Sequence, residues 1–296
     1  MSSELALQYL LAGITSGSVY AIVAIGFNIV YNATGIINFA QGEFVMLGAM
    51  LAISLRDRLP LAAAIIVAIL AVGLIGALID ILFIRWLRRP SVLRMIILTI
   101  GLSILLREAA LHVWDEKVRA LPYFTGSEVS SVRIFGAFIS PQVLWLLGLT
   151  TASVVALAVF FRFTLTGRSM RACSANRDAA ALMGIDTQRM VTLSFAIAAA
   201  IGALAGCAVS PIAQTHYDCG GPLAIKGFTA AVVGGLGKSG GAVAAGLLLG
   251  VLEAASVSVV PAAYKDAIAV LALLLILSLR PSGLFGRRDE ARLKEY

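Results

Sequence analysis

Residues 162–189 read RFTLTGRSMRACSANRDAAALMGIDTQR, with five arginines against two aspartates. Long apolar stretches lie on both sides of this segment, and the chain as a whole is 60% hydrophobic. A segment this polar belongs outside a lipid bilayer. Because basic residues in short loops stay on the cytoplasmic side of a membrane, we predict that residues 162–189 face the cytoplasm.

The same segment carries a pattern of local structure. Ser169–Ala172 and Arg177–Asp186 predict short helical pieces, a break at Gly184 and a helix restart at Asp186. A plain tether between two membrane spans does not need a small-residue helix that stops at a glycine. We therefore predict that the segment docks a cytoplasmic partner.

Composition indicates a polytopic helical membrane protein. The mean hydropathy is +0.95, and 13% of the residues are charged, against roughly 25% in soluble domains. The 28 glycines are typical of membrane helices, in which small residues let backbones approach closely. The net charge of +7 would suggest nucleic acid in a soluble protein. Here the basic residues cluster in predicted cytoplasmic loops, which favours topology and anionic lipid and excludes nucleic acid.

The predicted fold is all-α, a polytopic transmembrane helical bundle with eight or nine spans. A span needs about 20 mainly apolar residues. The seventh candidate is short and has Lys226 near its start, which indicates a half-span or a re-entrant piece and leaves the number of spans at eight or nine. The candidates are residues 10–31, 36–55, 61–84, 92–112, 142–161, 190–213, 222–236, 241–260 and 264–280.

The arginines also predict orientation. Nine crossings would put the N-terminus outside, and Arg56 and Arg58 then fall on the outer side against the trend. We expect residues 1–296 to form one transmembrane domain, with a cytoplasmic segment at 162–189 and an outer loop at 113–141. The acidic residues of that outer loop, Glu128 among them, are balanced by basic ones. The other predicted inner charges are Arg85, Arg88, Arg89, Arg94, Arg280, Arg287, Arg288, Arg292 and Lys294.

Two polar or glycine-rich stretches interrupt the helical pattern inside the membrane. They are Asn32–Glu43 and Gly234–Gly241, one in each half of the chain. Broken helices of this kind are typical of transporters. Three GxxxG spacings, at Gly13/Gly17, Gly202/Gly206 and Gly246/Gly250, predict close helix packing.

Asn38, Gln41 and Glu43 are the candidate residues of a translocation path. A carboxylate inside a span costs several kcal/mol unless it is paired, hydrated or protonated. On a helix Glu43 points away from Gln41, so the three do not form one tight site. The other interpretation, which is favoured, is that these side chains form hydrogen bonds between helices and only fix their packing. The packing interpretation is also favoured for Glu253 in the eighth span.

Other candidate chemistries are excluded by spacing. Gly237-Lys238-Ser239 resembles a phosphate loop, but the required first glycine is Val232, and no soluble strand precedes it. His112 and His216 have no partner at metal-ligand spacing, so we predict no metal site and no catalytic residues. The three cysteines fall in different predicted compartments, which argues against a disulfide framework.

Several stretches resemble the membrane permeases of ATP-binding-cassette importers for branched-chain amino acids. The most specific is Gly35–Phe44, GIINFAQGEF, followed by Met46–Ala49, MLGA. Lys226–Gly237 and Gly241–Gly250 are similar to the same family, as is Arg177–Asp186. The short N-terminus and compact length resemble the smaller of the two permease types.

The resemblance implies a transport subunit that is not itself an enzyme and needs no cofactor. Its implied partners are separate ATPase subunits, a second related permease and a periplasmic or extracellular substrate-binding protein, at the bacterial inner membrane. The family's coupling pattern, Glu-Ala-Ala followed by a distal glycine, is altered here, with Asp178 at the acidic position. The implied coupling residues are Arg171, Arg177, Asp178, Ala179, Ala180, Gly184 and Asp186.

The sequence leaves other substrates and other classes open. Relatives with similar signatures import urea, short amides or small carboxylates. A self-sufficient ion-coupled transporter would need several ionisable residues inside the membrane. Only Glu43 and Glu253 qualify clearly, with Asp80 near the inner end. An intramembrane enzyme would need a nucleophile–base pair or a metal set, and neither pattern occurs.

Overall fold

The computed structural model of the chain is a bundle of helices. It describes residues 3–86, 92–127, 129–134, 137–258, 261, 264–280 and 283–285. The helices are α1 Ser3–Thr34, α2 Gln41–Arg56, α3 Leu61–Ile79 with a π-helical continuation Asp80–Ile84, α4 Val92–Trp114, α5 Pro141–Phe163, α6 Leu165–Ala175, α7 Arg177–Leu182, α8 Thr187–Ala213, α9 Gly220–Gly234, α10 Ser239–Ser256 and α11 Lys265–Leu279.

Each of the nine predicted spans coincides with one of these helices. Within the described residues, six helices are long and apolar enough to cross a membrane: α1, α3 with its π-helical end, α4, α5, α8 and α10. The other three are short, with 16 residues in α2 and 15 each in α9 and α11. A multi-pass helical fold is therefore confirmed, while the number of eight or nine crossings stays a prediction.

α1 and α8 form the centre of the bundle. Of the most apolar part of each helix, 67% is buried in α1 and 56% in α8, against 17% in α4. Small residues make this possible: Gly48 of α2 packs directly on Ala203 of α8, and Gly76 of α3 packs on Ala199. α4, α5 and α11 present large apolar side chains outward, as helices facing lipid or another subunit do.

α1 and α10 approach each other at backbone contact. Gly13 and Gly17 of α1 face Gly246 and Gly250 of α10. A Cβ atom on Gly13 would lie only 2.6 Å from the Cα of Val251, a distance that real side chains do not reach. The predicted packing role of these two GxxxG spacings is confirmed. The third spacing lies on α8 and packs on α2.

The first predicted break separates α1 from α2 and returns the chain into the bundle. α1 ends at Thr34, and α2 begins only at Gln41. The Gln41 side chain lies against Gly26, eight residues before the end of α1. At 1.5 Å per residue this is about 12 Å below that end. α2 is short because its first turn already lies deep inside the bundle.

The second predicted break, between α9 and α10, is a tight turn at the same end of the bundle. Gly235 and Gly237 have positive φ there. The Gly237 N–H donates to Asn28 Oδ1 (3.0 Å), and Asn32 Nδ2 donates to the Gly237 carbonyl (3.2 Å). We call this end, which also carries α6 and α7, the inner end.

The opposite, outer end is joined by contacts of residues 113–141 and 214–219. Arg119 and Thr215 form a two-way backbone bridge, and Trp114 Nε1 donates to Ser54 Oγ (2.6 Å). A hairpin of β1 Val132–Ile134 and β2 Ala137–Ile139 also lies in this loop, and the sequence analysis does not predict it. The predicted charges Arg88, Arg89, Glu128, Arg287, Arg288, Arg292 and Lys294 lie outside the described residues.

Candidate coupling surface and translocation path

The inner segment forms two short helices, as the sequence predicts, and the structure adds a capping side chain at the start of each. Thr164 caps α6 by accepting a hydrogen bond from the Gly167 N–H (2.9 Å). Asn176 caps α7 in the same way, accepting from the Ala179 N–H (2.9 Å). A capping side chain satisfies one of the free N–H groups at a helix start, so each helix can begin directly after the previous one ends.

The glycine break and the aspartate restart are both present. Gly184 has φ +81°, a left-handed conformation that an L side chain rarely adopts. Asp186 caps α8 by accepting from the Arg189 N–H (3.0 Å) and forms an ion pair with the Arg189 guanidinium (2.8 Å). This turn sets the angle between α7 and α8.

The coupling candidates form an exposed surface on α7 and its flanks. Of the seven, only Ala180 is buried, which anchors α7 to the bundle. Leu182 and Met183, which the sequence analysis did not select, are 89% and 83% exposed. We call the exposed surface formed by Arg171, α7 and residues 183–186 the inner knob. Adjacent exposed apolar side chains on a polar surface are a feature of protein-contact sites. The exposed candidates are Arg171, Arg177, Asp178, Ala179, Gly184 and Asp186.

Arg177 links this surface to the membrane helices. With Arg85 it lines a cavity of about 370 Å³ at the inner end, between Gly35, the start of α4 and the start of α8. Nearby, burial raises the pKa of the Cys173 thiol, and the Arg177 charge partly opposes this. Arg177 at the start of α7 and the α1–α2 break therefore lie on the wall of the same cavity.

Asn38 and Gln41 stabilise the start of α2 from inside the bundle. Asn38 Oδ1 accepts from the Ala40 N–H (3.1 Å), which fixes the turn before the helix. Gln41 Nε2 donates to the Ala198 carbonyl of α8 (3.0 Å). Both side chains are almost fully buried.

Glu43 lies on the other side of α2, as its spacing from Gln41 predicts. Ser103 Oγ of α4 donates to Glu43 Oε1 (2.9 Å). Arg107, one turn further along α4, forms an ion pair with Asp218 (3.0 Å). The structure therefore places Gln41 against α8 and Glu43 against α4, and the three candidates do not share one site.

The start of α2 is nevertheless surrounded by unsatisfied polar atoms. Asn28 Nδ2, Asn38 Nδ2, Gln41 Oε1 and Glu43 Oε2 are buried and have no hydrogen-bond partner among the described residues. Burying such groups without a partner costs free energy. A bundle that needed only tight packing would gain stability by replacing them with apolar residues.

A second charged cluster joins α1, α9 and α10, and sequence reasoning missed it. Lys226 Nζ donates to Glu253 Oε1 (2.8 Å) and to the Tyr20 hydroxyl (3.1 Å), and Tyr20 donates to Glu253 Oε2 (2.7 Å). The sequence analysis noted Lys226 as the edge of a short span and Glu253 as a packing residue. One basic and one acidic residue in neighbouring spans were the available signal.

The two histidines lie apart from each other in the described part of the chain. No group of three or more His, Cys, Asp or Glu side chains is close enough there to hold a metal ion. His112 lies on an exposed turn at the outer end of α4, where Nδ1 contacts the Glu108 carbonyl (2.8 Å). His216 lies in the outer loop before α9.

The chain is a multi-pass helical membrane protein with broken helices, a buried polar interior and a polar inner knob. Comparison with known families then identifies it further. The family described as "Branched-chain amino acid transport system / permease component" matches residues 9–277. The chain belongs to this family.

Relatives match along nearly the whole chain. It is 35% identical to the high-affinity branched-chain amino acid transport system permease protein LivH of Salmonella typhimurium LT2 and 36% identical to the corresponding protein BraD of Pseudomonas aeruginosa PAO1. Each match covers 96% of both chains. The autoinducer 2 import system permease protein LsrC of Yersinia pestis Pestoides F is 29% identical over 89% of this chain and 74% of its own.

A solved structure shares the fold. PsaBC from Streptococcus pneumoniae, solved in complex with a Fab, superimposes with a TM-score of 0.52 at 14% identity. The match covers 98% of this chain and 96% of that one.

Proposed function

We propose that this chain is a permease subunit of an ATP-binding-cassette importer for branched-chain amino acids in a bacterial inner membrane. The observation that carries the proposal is identity of about 35% with LivH and BraD permeases along 96% of both chains. In this proposal residues 1–296 act as one permease domain. Its partners are ATPase subunits, a second related permease and a binding protein at the outer face.

The inner knob is the proposed coupling surface. α7 carries Arg177, Asp178 and Ala179 outward next to the exposed Leu182 and Met183. Ala180 and the Asn176 cap hold the helix as a rigid element. A rigid helix can transmit a nucleotide-driven movement of an ATPase to α8 and, across the inner cavity, to the α1–α2 break.

The start of α2 is the proposed translocation path. Asn38, Gln41 and Glu43 lie at the re-entrant break, where several buried polar atoms have no partner among the described residues. Half-helices that begin inside a bundle are a common way to present polar groups to a solute. Because Gln41 and Glu43 face different helices, each would line the path in a different conformation of the bundle.

Reconstituted transport tests this function. We would insert the chain, its ATPases and the second permease into vesicles, with the binding protein outside and ATP inside, and measure uptake of radiolabelled leucine. Uptake is expected only with ATP and the complete complex. The matched control is the same complex with catalytically inactive ATPase subunits. Ion-driven uptake by the permease alone would contradict the proposal.

A second candidate is import of a different small polar solute by the same machinery. It is favoured by the similarity to LsrC, a permease named for autoinducer 2 import. Competition separates the two candidates. Isoleucine and valine should reduce leucine uptake, whereas urea and short amides should not.

A further inference from the structure

The outer end of the bundle contains a cavity that is separate from the break at α2. Its volume is about 360 Å³, within the range of about 300–1,000 Å³ typical of small-ligand sites. The walls come from α2, α8, α9, the connecting loop 214–219 and the first residue of α11. The loop 214–219 in its wall belongs to the outer end of the bundle, the end on which an importer receives its substrate.

The chemistry of the walls is divided. Val45, Val209 and Leu223 are apolar, and two lining residues carry ammonium groups: Lys265, and Lys226, which is paired with Glu253. Gln214, Thr215 and His216 complete the polar rim. None of the described lining residues is acidic. The cavity therefore suits a small anion with an aliphatic group attached.

Lys226 is the buried charge on this wall. Glu253 and Tyr20 hold its ammonium group at 2.8 and 3.1 Å from the side of α10 and α1. A buried ion pair is a weak source of stability, because desolvation offsets the attraction. What the pair does provide is a cation that can remain inside the membrane without an excessive cost.

The rim of the cavity is held in an unusual backbone conformation. Gln214, directly after α8, has φ +53°, which is uncommon for a residue other than glycine. The backbone bridge between Arg119 and Thr215 fixes the next residue. Conformations of this kind persist where the surroundings enforce them, and they cluster at ligand sites.

We propose that this outer cavity binds a small aliphatic amino acid through its carboxylate, before the solute reaches the α2 break. The ammonium groups of Lys226 and Lys265 attract the carboxylate, and Val45, Val209 and Leu223 contact the aliphatic side chain. The inference rests on the proposed function for the choice of amino acid. The carboxylate and the aliphatic group follow from the cavity itself.

Protection from chemical modification tests the site. Ala213, an exposed wall residue, would be changed to cysteine together with Cys219→Ser, and the assembled importer without binding protein would be treated from outside with a charged thiol reagent. Leucine and 4-methylpentanoate should slow modification several-fold. 3-Methylbutylamine has the same chain without a carboxylate and should not. Equal protection by the amine would overturn the carboxylate assignment.

Two variants separate a binding role from a structural one. Lys226→Met and Glu253→Gln both break the same ion pair, but only the first removes the cation. Lys226→Met should raise the leucine concentration for half-protection by roughly tenfold, the value of one charge-assisted contact. Glu253→Gln should retain protection or strengthen it. Equal loss in both variants would show that the pair is only structural, and would overturn the proposal.

Leucine uptake by the complete importer separates this inference from the proposed function. ATP-dependent uptake without protection at Ala213→Cys would overturn the cavity proposal and leave the function intact. Protection by 4-methylpentanoate without any leucine uptake would support a carboxylate site and overturn the choice of substrate.

Discussion

Glu43 and Glu253 show two ways of keeping a carboxylate inside an apolar bundle. Glu253 is neutralised by Lys226 at 2.8 Å and bound by Tyr20, so its charge is satisfied locally. Glu43 has one hydrogen bond, from Ser103, and its second oxygen has no partner among the described residues. We therefore propose that Glu43 is the residue whose interactions change during transport.

The first prediction concerns this residue. Glu43→Gln removes the negative charge but keeps an oxygen that can accept from Ser103. We expect ATP-dependent leucine uptake to fall by about tenfold, which corresponds to the loss of one charge-assisted interaction of roughly 1.4 kcal/mol. Initial uptake rates in reconstituted vesicles would measure it.

Glu108→Gln is the matched control, because it neutralises an exposed carboxylate on α4, the helix that contacts Glu43. We expect its uptake to equal that of the unchanged protein. Normal uptake in Glu43→Gln would mean that Glu43 serves only in packing.

At the scale of elements, short helices have two different origins. α2 is short because the chain re-enters the bundle before the helix begins at Gln41. α7 is short because Asn176 starts it and Gly184 terminates the turn after it. In both cases a polar residue or a glycine marks a boundary of the helix: the polar break before Gln41 marks the start of α2, and Asn176 and Gly184 mark the two boundaries of α7.

The second prediction concerns α7 as a coupling element. Arg177→Glu, Asp178→Lys and Gly184→Val should each lower leucine uptake several-fold while ATP hydrolysis by the complex continues. The charge reversals alter the exposed knob, and valine at a positive φ costs about 1–2 kcal/mol of strain that changes the angle to α8. Parallel measurements of ATP hydrolysis and uptake in the same vesicles would test it.

Gly240→Val provides the control for the glycine change. Gly240 lies at the same inner end, has open space around a new Cβ and no positive φ. We expect it to transport normally. Unchanged uptake in all three coupling variants would count against the docking role.

The third prediction concerns the contact of α1 with α10. Gly250→Leu should lower the melting temperature of the purified protein markedly, because its Cβ would overlap the backbone of Gly13 and Gly17. Overpacking of this kind costs about 1–3 kcal/mol or more. Gly148→Leu, on α5 with open space around it, should leave the melting temperature unchanged. Similar melting of both variants would show that α1 and α10 can separate without cost.

At the scale of the whole molecule, the bundle has a buried centre and an apolar periphery. α1 and α8 are mostly enclosed, whereas α4, α5 and α11 expose large apolar side chains. These outer faces can contact lipid or a second permease. The inner knob and the outer cavity lie at opposite ends of the bundle.

The fourth prediction follows from this arrangement. Affinity purification of the chain from its native membrane should recover ATPase subunits and a second permease as well. The ATPases should be lost from the Arg177→Glu and Asp178→Lys double variant if those charges contribute to binding, while the second permease remains. Gentle detergent extraction and mass spectrometry would measure both. Recovery of the chain alone, with full transport activity, would contradict the proposed assembly.

Much of the fold could be predicted because hydrophobic length and breaking residues act locally. Every predicted span coincides with a helix, and the breaks after Thr34 and Gly234 and the turn at Gly184 occur where the sequence places them. The hairpin at 132–139 and the depth of α2 were not predictable. They depend on contacts with distant helices rather than on the residues of the segment itself.

The sequence by itself determined the class of this protein, its family and the local structure of the inner knob. Apolar length and arginine position are enough for the class, and motifs such as Gly35–Phe44 carry the resemblance to the family. The break at Gly184 and the helix restart at Asp186 are local signals that act over one or two helical turns. Only the tertiary structure decided that Gln41 and Glu43 face different helices, that Lys226 meets Glu253, and that Lys226 lines an outer cavity. These pairings join residues far apart in the chain, and packing at glycine contacts sets which faces meet.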